Sequence, residues 1–110
     1  MPILRVEQKH EKPFEVELIK DSFTIGRSSG NDLAFNHLSL SRHHAMITKE
    51  TDDFYLEDCG SRNGTFLNGA RIAGKTLLKS SDSIQLGEIV LRFVDPALAG
   101  LDTPSKSLVF

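Results

Sequence analysis

Ser39, Ser41, Arg42, His43 and His44 crowd two hydroxyls, a guanidinium and two imidazoles into a stretch of six residues. Two other segments echo it, Gly26-Arg27 earlier in the chain and Ser61-Arg62-Asn63-Gly64 later. Each carries an arginine beside small or turn-forming residues rather than along the face of a strand. A planar guanidinium meets an oxyanion through two parallel hydrogen bonds. The Ser41 hydroxyl adds a rotatable donor, and turn N–H groups around Arg62 and Asn63 would complete an anion-holding nest. Gly26 would let the backbone approach a ligand closely. The chemistry these types suggest is capture of one oxyanion by Arg27, Ser41, Arg42 and Arg62. Against it stands the plain alternative that the arginines are solvated surface charges.

Other chemistries fit less well. Gly26-Arg27-Ser28-Ser29-Gly30 matches the nucleophile pattern of hydrolases, but that pattern works at a strand-to-helix elbow on a large α/β sheet. Here a short apolar run follows and the chain is too short for such a sheet. No Gly-Lys-Ser/Thr precedes a helix, so there is no P-loop. His37, His43, His44 and Cys59 lack zinc spacing, and no metal site or cofactor is expected. Adjacent His43 and His44 point to opposite sides of an extended chain, so one of them is expected to be buried and to orient the loop. Cys59 is expected as a small buried hydrophobe. Asp32, Asp58 and Asp82 suit turn and cap roles better than a carboxylate cluster.

The elements that must position these loops read as short strands. Leu4 and Val6 share a face, as do Phe14, Val16 and Leu18 of a half-buried strand. Phe23 and Ile25 repeat the pattern, a short strand follows near 33–35, and Ala45 and Ile47 alternate with Met46 and Thr48. Phe54, Leu56 and Asp58 share one face of the next strand. Asn63-Gly64 and Asn68-Gly69 both carry the signature of a type I′ hairpin turn. Ile84 and Leu86, then Val90, Arg92 and Val94, with Ile89, Leu91 and Phe93 opposite, read as a closing hairpin bent at Gly87-Glu88. No window keeps a helical period, so the expected fold class is all-β, an antiparallel sandwich with its variable chemistry in loops at the ends of the sheets.

Composition sets outer bounds. The 110 residues are 39% hydrophobic and 25% charged with a net charge of −2, ordinary for one globular domain. No global field draws the chain to nucleic acid or membrane. One cysteine cannot make an internal disulfide, and no signal or spanning segment is visible, so a cytoplasmic location is expected. The Asn63-Gly64-Thr65 glycosylation pattern is read as coincidence. From Asp95-Pro96 the chain turns small, polar and Pro-containing. Residues 1–95 are expected to be the domain and 96–110 a linker towards a further domain.

At Ile25-Gly26-Arg27, Asn31-Asp32-Leu33, Ser41-Arg42-His43-His44-Ala45, Ser61-Arg62-Asn63-Gly64-Thr65, Leu67-Asn68-Gly69 and Asp82-Ser83-Ile84-Gln85-Leu86-Gly87 the sequence resembles the forkhead-associated (FHA) domain family. The ordered set spans about Phe23 to Phe93. The resemblance implies a β-sandwich of about eleven short strands whose loops at one end bind a phosphothreonine peptide. Carried over by position, Arg27 and Ser41 match phosphate contacts, Arg42 contacts phosphate or peptide, and Arg62 contacts phosphate. Asn63 matches the residue that binds the peptide backbone. His44 matches the histidine that props the loops, and Gly26, Gly64, Thr65 and Asn68 look architectural. Ser39 stands where family members often read the third residue after the phosphothreonine. One departure is Ser81-Asp82, where the family usually has Gly-Asp.

The expected function is therefore a non-catalytic phosphothreonine-reading module in signalling, monomeric as an isolated domain, whose partner is a phosphothreonine-containing protein. The alternatives are a phosphate-independent interaction module on the same sandwich, and an enzyme acting on phosphoesters.

Overall fold

The computed structural model describes residues 2–95; the linker expected over 96–110 lies outside the described residues. Eleven strands follow in order: β1 (Ile3–Glu7), β2 (Phe14–Glu17), β3 (Ser22–Gly26), β4 (Leu33–Ala34), β5 (Ala45–Glu50), β6 (Asp53–Asp58), β7 (Thr65–Leu67), β8 (Ala70–Arg71), β9 (Thr76–Leu77), β10 (Asp82–Leu86) and β11 (Ile89–Val94). Among the described residues none is helical, and no helix is long and apolar enough to cross a membrane.

The strands form two sheets, a six-stranded one in the order β2-β1-β11-β10-β7-β8 and a five-stranded one in the order β4-β3-β5-β6-β9. Period-2 alternation drives this. In β1 and β11 the inward residues Leu4, Val6, Ile89, Leu91 and Phe93 are buried, while Glu7 and Arg92 on the other side stay in solvent. From the opposite sheet Phe23, Ile25, Ala45, Ile47, Phe54 and Leu56 join the same core. Phe54 and Phe93 meet across it, with ring centroids 5.6 Å apart and tilted by 53°. Each fully buried side chain of this kind contributes about 1.5–3 kcal/mol, enough in sum to hold two sheets face to face.

Three expectations need correction. The sandwich is not wholly antiparallel, because β4 runs parallel to β3 with Ile25 opposite Leu33 and Gly26 opposite Ala34. The chain doubles back through residues 27–32, and the Phe35 N–H closes the return on the Gly26 carbonyl at 3.0 Å. Phe14 is 42% exposed, since β2 is the outer strand of its sheet and covers little. Asn63-Gly64 is not a type I′ turn, for Gly64 has φ 87° but Asn63 keeps a negative φ. It belongs to a loop that passes from one sheet to the other. Asn68-Gly69 does fit that turn, at φ 51° and 89°, and joins β7 to β8 with Leu67 opposite Ala70.

The Ser81 position bears on stability. Its φ is 77°, a region that costs a residue with a Cβ about 1–2 kcal/mol. Its N–H donates to the Phe93 carbonyl at 2.7 Å, and its carbonyl accepts from Arg92 Nη1 at 3.0 Å. Both contacts are backbone-made at Ser81 and survive a change of side chain. Ser81→Gly is therefore expected to stabilise the domain by about 0.5–1 kcal/mol after the entropy of a freer unfolded chain is subtracted. Thermal unfolding should show a Tm higher by a few degrees, and an unchanged or lower Tm would remove the strain assigned to this turn.

Candidate functional site

The loop after β3 and the loop before β5 are built on one another. β3 and β5 pair through Ile25 and Ala45, and the ladder continues past the strand ends. The His44 N–H donates to Ile25 O at 3.0 Å, the Arg27 N–H to Ser41 O at 2.9 Å, and the Ser28 N–H to Arg42 O at 3.2 Å. Asn31 Nδ2 closes the turn by donating to Ser28 O at 2.9 Å and to Arg42 O at 2.7 Å. A Cβ on Gly26 would fall on the Arg42 carbonyl oxygen and 2.9 Å from Asn31 Nδ2. The close approach expected of Gly26 is thus to the backbone of the neighbouring loop, not to a ligand. β4 rather than a helix follows Ser28, so no nucleophile elbow forms there.

His44 is fully buried while His43 is exposed, the division expected of adjacent residues on an extended chain. His44 Nδ1 accepts the Ser41 N–H at 3.1 Å, and Nε2 lies 2.9 Å from the Gly64 carbonyl. Because Nδ1 must accept, the proton sits on Nε2 and is donated to Gly64. One imidazole thereby ties the loop that carries Ser41 to the loop that carries Arg62.

Asp58 organises that second loop. Its carboxylate accepts the N–H groups of Gly60 and Ser61, each at 3.0 Å, the Ser61 hydroxyl, and Thr65 Oγ1 at 2.7 Å. Ser61 Oγ in turn accepts the Gly64 N–H at 2.9 Å. Asp58, expected in a turn or cap role, also anchors the arginine loop. The visible signal is an Asp three residues before a Ser-Arg-Asn-Gly run, the reach of an Asx-type turn. Burial raises the affinity of this carboxyl for a proton, but the hydrogen bonds from Ser61, Thr65 and the Ser61 and Gly60 amides outweigh it and hold the pKa below the ordinary 3.8.

A pH dependence follows. A carboxyl with a lower pKa in the folded state binds fewer protons there than in the unfolded chain. Its stabilisation is complete above the ordinary value of 3.8 and is lost as pH falls through the lowered one. Acid unfolding should therefore steepen below about pH 4, and Asp58→Asn should flatten that limb while lowering Tm at neutral pH. An unaltered acid limb in the variant would show that other carboxylates carry it.

These loops enclose an open cleft of about 400 Å³ lined by Arg27, Leu38, Ser39, Leu40, Ser41, Arg42, Arg62 and Asn63. Arg27 is half-buried and aimed by its Nε, which donates to Leu40 O at 3.2 Å. Ser41 Oγ accepts the Arg62 N–H at 2.9 Å, which leaves the hydroxyl hydrogen to donate elsewhere. The Arg62 N–H is thereby committed and does not belong to the open nest expected there. Among the described residues the ion pairs join Arg5 to Glu7 and Glu15, Lys20 to Asp32, His37 to Glu88 and Lys75 to Glu50. None of Arg27, Arg42 and Arg62 is in this set. Three arginines thus line one concavity with no carboxylate paired to them among the described residues.

The remaining candidates fall into place around this. Asn63 Nδ2 donates to Ser39 O at 2.9 Å, which keeps one amide hydrogen and its Oδ1 for other partners. Thr65 is buried against Asp58. Asn68 hydrogen-bonds to Asp82 and Ser83 at 2.9 Å each, so it braces the β7–β8 turn on β10 rather than the cleft loops. Ser39 has its hydroxyl engaged by His37 and by the Glu88 N–H. Leu38 beside it is 90% exposed and lines the cleft. Cys59 is exposed, not buried as expected, because it follows the last residue of β6 where the chain leaves the sheet. Desolvation of its sulfur, then the charges of Asp58 and Glu57, push its thiol up, so it is a poor nucleophile.

Comparison with known proteins agrees with this architecture. The family model of the FHA domain matches residues 23–87. The chain is 39% identical over 83 residues to the ABC transporter ATP-binding/permease protein Rv1747 of Mycobacterium tuberculosis, covering 76% of this chain and 10% of that protein. It is 31% identical over 78 residues to the oxoglutarate dehydrogenase inhibitor of Corynebacterium diphtheriae, covering 71% of this chain and 54% of the inhibitor. The chain thus spans about a tenth of the first relative's length and about half of the second's. The crystal structure of the FHA domain of the CT664 protein from Chlamydia trachomatis superposes with a TM-score of 0.80 at 27% identity, over 86% of this chain and 96% of that one. Matched along most of its two-sheet core and across all three cleft-forming loops, the chain belongs to the FHA domain family.

Proposed function

We propose that this domain is a non-catalytic reader of phosphothreonine in partner proteins, acting in the cytoplasm as a phosphorylation-dependent adaptor. The observation that carries the reading is the cleft lined by Arg27, Arg42, Arg62 and Ser41, in which none of these arginines has a carboxylate partner among the described residues. A phosphothreonine brings about −1.5 to −2 charges and three acceptor oxygens, which answers both the charge and the donors. In this reading Arg27 and Ser41 hold the phosphate, Arg42 and Arg62 add charge at the rim, and Asn63 meets the peptide backbone. Gly26, His44, Gly64 and Thr65 keep the loops in place. The regulatory name of the corynebacterial relative suits a domain that signals by binding.

Charge-assisted hydrogen bonds contribute about 1.5–3 kcal/mol each. Three or four of them, less the costs of association and ordering, give roughly micromolar affinity. Salt should weaken it, since the cleft is open and its charges are screened. The test is calorimetric titration with phosphothreonine, phosphoserine and unmodified versions of a peptide library, with recovery of the peptide to check for turnover. Binding confined to phosphothreonine, with the peptide recovered intact, is the expected result. Equal affinity for modified and plain peptides would replace this reading with phosphate-independent docking, and released phosphate would make the domain an enzyme.

A further inference from the structure

Ser39 ties together three loops in a way that phosphate capture does not itself require. His37 Nδ1 lies 2.8 Å from Ser39 Oγ and 3.1 Å from the Ser39 backbone nitrogen. Ser39 Oγ accepts the Glu88 N–H at 3.0 Å, and its carbonyl accepts Asn63 Nδ2 at 2.9 Å. The β10–β11 turn packs onto it through Gly87, where a Cβ would come within 2.6 Å of both Ser39 Cβ and Ser39 O. His37 is itself pinned, its N–H donating to Phe35 O at 2.8 Å and its carbonyl accepting the Leu40 N–H at 3.1 Å.

The directions of these bonds define a protonation state. Since Nδ1 accepts the Ser39 N–H, the neutral ring carries its hydrogen on Nε2. The Ser39 hydroxyl donates to the same Nδ1 lone pair while accepting from Glu88. A proton added to the ring sits on Nδ1. The hydroxyl can then reverse and accept, but the Ser39 N–H faces a donor and loses its partner. The Glu88 carboxylate, 3.9 Å from Nε2, gives the resulting imidazolium a counter-charge. Lys9, His10 and Glu11 of the β1–β2 turn face the same small cleft as His37 and Glu88.

We propose that His37 is a positioning residue for the phosphate cleft: neutral, it holds Ser39, and through Ser39 the loop bearing Ser41 and the amide of Asn63; protonated, it releases the Ser39 amide and weakens phosphopeptide binding. The binding half of this proposal rests on the phosphothreonine reading above, and the loop half does not. Phosphopeptide capture by this domain would accordingly be strongest with the His37 ring neutral and relaxed once the ring is protonated.

The experiment has one arm without ligand and one with it. In the free wild-type domain, protonation of the His37 ring is followed by NMR as the pH is lowered from neutrality. Protection factors of the Ser39 and Glu88 amides are measured across the same range. Ser39 protection is expected to fall in step with the ring titration. In His37→Asn, whose Oδ1 takes the place of Nδ1 and does not titrate, it should stay constant. Kd for a phosphothreonine peptide is then measured for both proteins at each pH. The ratio of the two cancels the second ionisation of the phosphate, near pH 6, and any contribution of His44. That ratio is expected to change by about fivefold in disfavour of the wild type in acid, the factor for one net hydrogen bond of about 1 kcal/mol. Constant Ser39 protection through the ring titration, or a constant affinity ratio, overturns the proposal. Absence of binding by both proteins at neutral pH would instead remove the phosphothreonine reading, and the exchange arm would still decide whether the loop is held by His37.

Discussion

Arg27→Ala is expected to weaken phosphothreonine-peptide binding about 100-fold or more while leaving the domain folded. Arg27 is the half-buried member of the arginine set, and its Nε is spent on the Leu40 carbonyl. That bond restrains the guanidinium plane and leaves both terminal nitrogens without a hydrogen-bond partner among the described residues. Two charge-assisted bonds to a phosphate are worth about 3–6 kcal/mol together, and losing both costs about two to four orders of magnitude. The cost to stability is smaller, about one net hydrogen bond of about 1 kcal/mol, because the Arg27 N–H to Ser41 O bond at 2.9 Å belongs to the backbone and remains. Arg27→Lys keeps the charge without the planar fork and should recover only part of the affinity. Calorimetry and thermal unfolding on the same samples check both halves. Binding within tenfold of wild type would remove Arg27 from the phosphate contacts, and unfolding of the variant would make it a structural residue.

His44→Ala should be the most damaging single change to the fold among the site residues. The imidazole is wholly buried and serves two backbone groups, the Ser41 N–H and the Gly64 carbonyl. Removing it leaves a half-buried donor and a buried acceptor without this partner, at about 1–3 kcal/mol each, together with a cavity. A total of about 3–5 kcal/mol would lower Tm by roughly 15 °C or more in a domain of this size. Residual binding should also fall, because the loops bearing Ser41 and Arg62 are no longer tied to each other. A Tm within a few degrees of wild type would show that the two loops hold their places without the bridge.

Much of the scaffold was legible because strand signals are local. Alternation in Leu4 to Val6 and in Ile89 to Phe93 marks an inward face whatever the partner strand, and Asn68-Gly69 and Gly87-Glu88 mark reversals by their own backbone preferences. The sheet order was not legible in that way. β11 lies between β1 and β10, and β1 begins the chain that β11 nearly ends. β4 turns parallel to β3 through a loop whose residues announce a turn but not its direction.

The site divides along the same line. Residue types alone marked Arg27, Ser41, Arg42 and Arg62 as donors on loops, and the chain itself determined that these loops hold positive charge and small polar groups. Only the tertiary structure decided which of those groups remain free. The Arg62 amide is taken by Ser41, 21 positions away, and the Ser39 hydroxyl by the Glu88 amide, 49 positions away. Asp58 proved to be the anchor of the arginine loop, and Cys59 next to it proved to face solvent. A polar atom's type is written in its residue, whereas its availability depends on whatever the fold brings within 3 Å of it, and those neighbours come from distant parts of the chain.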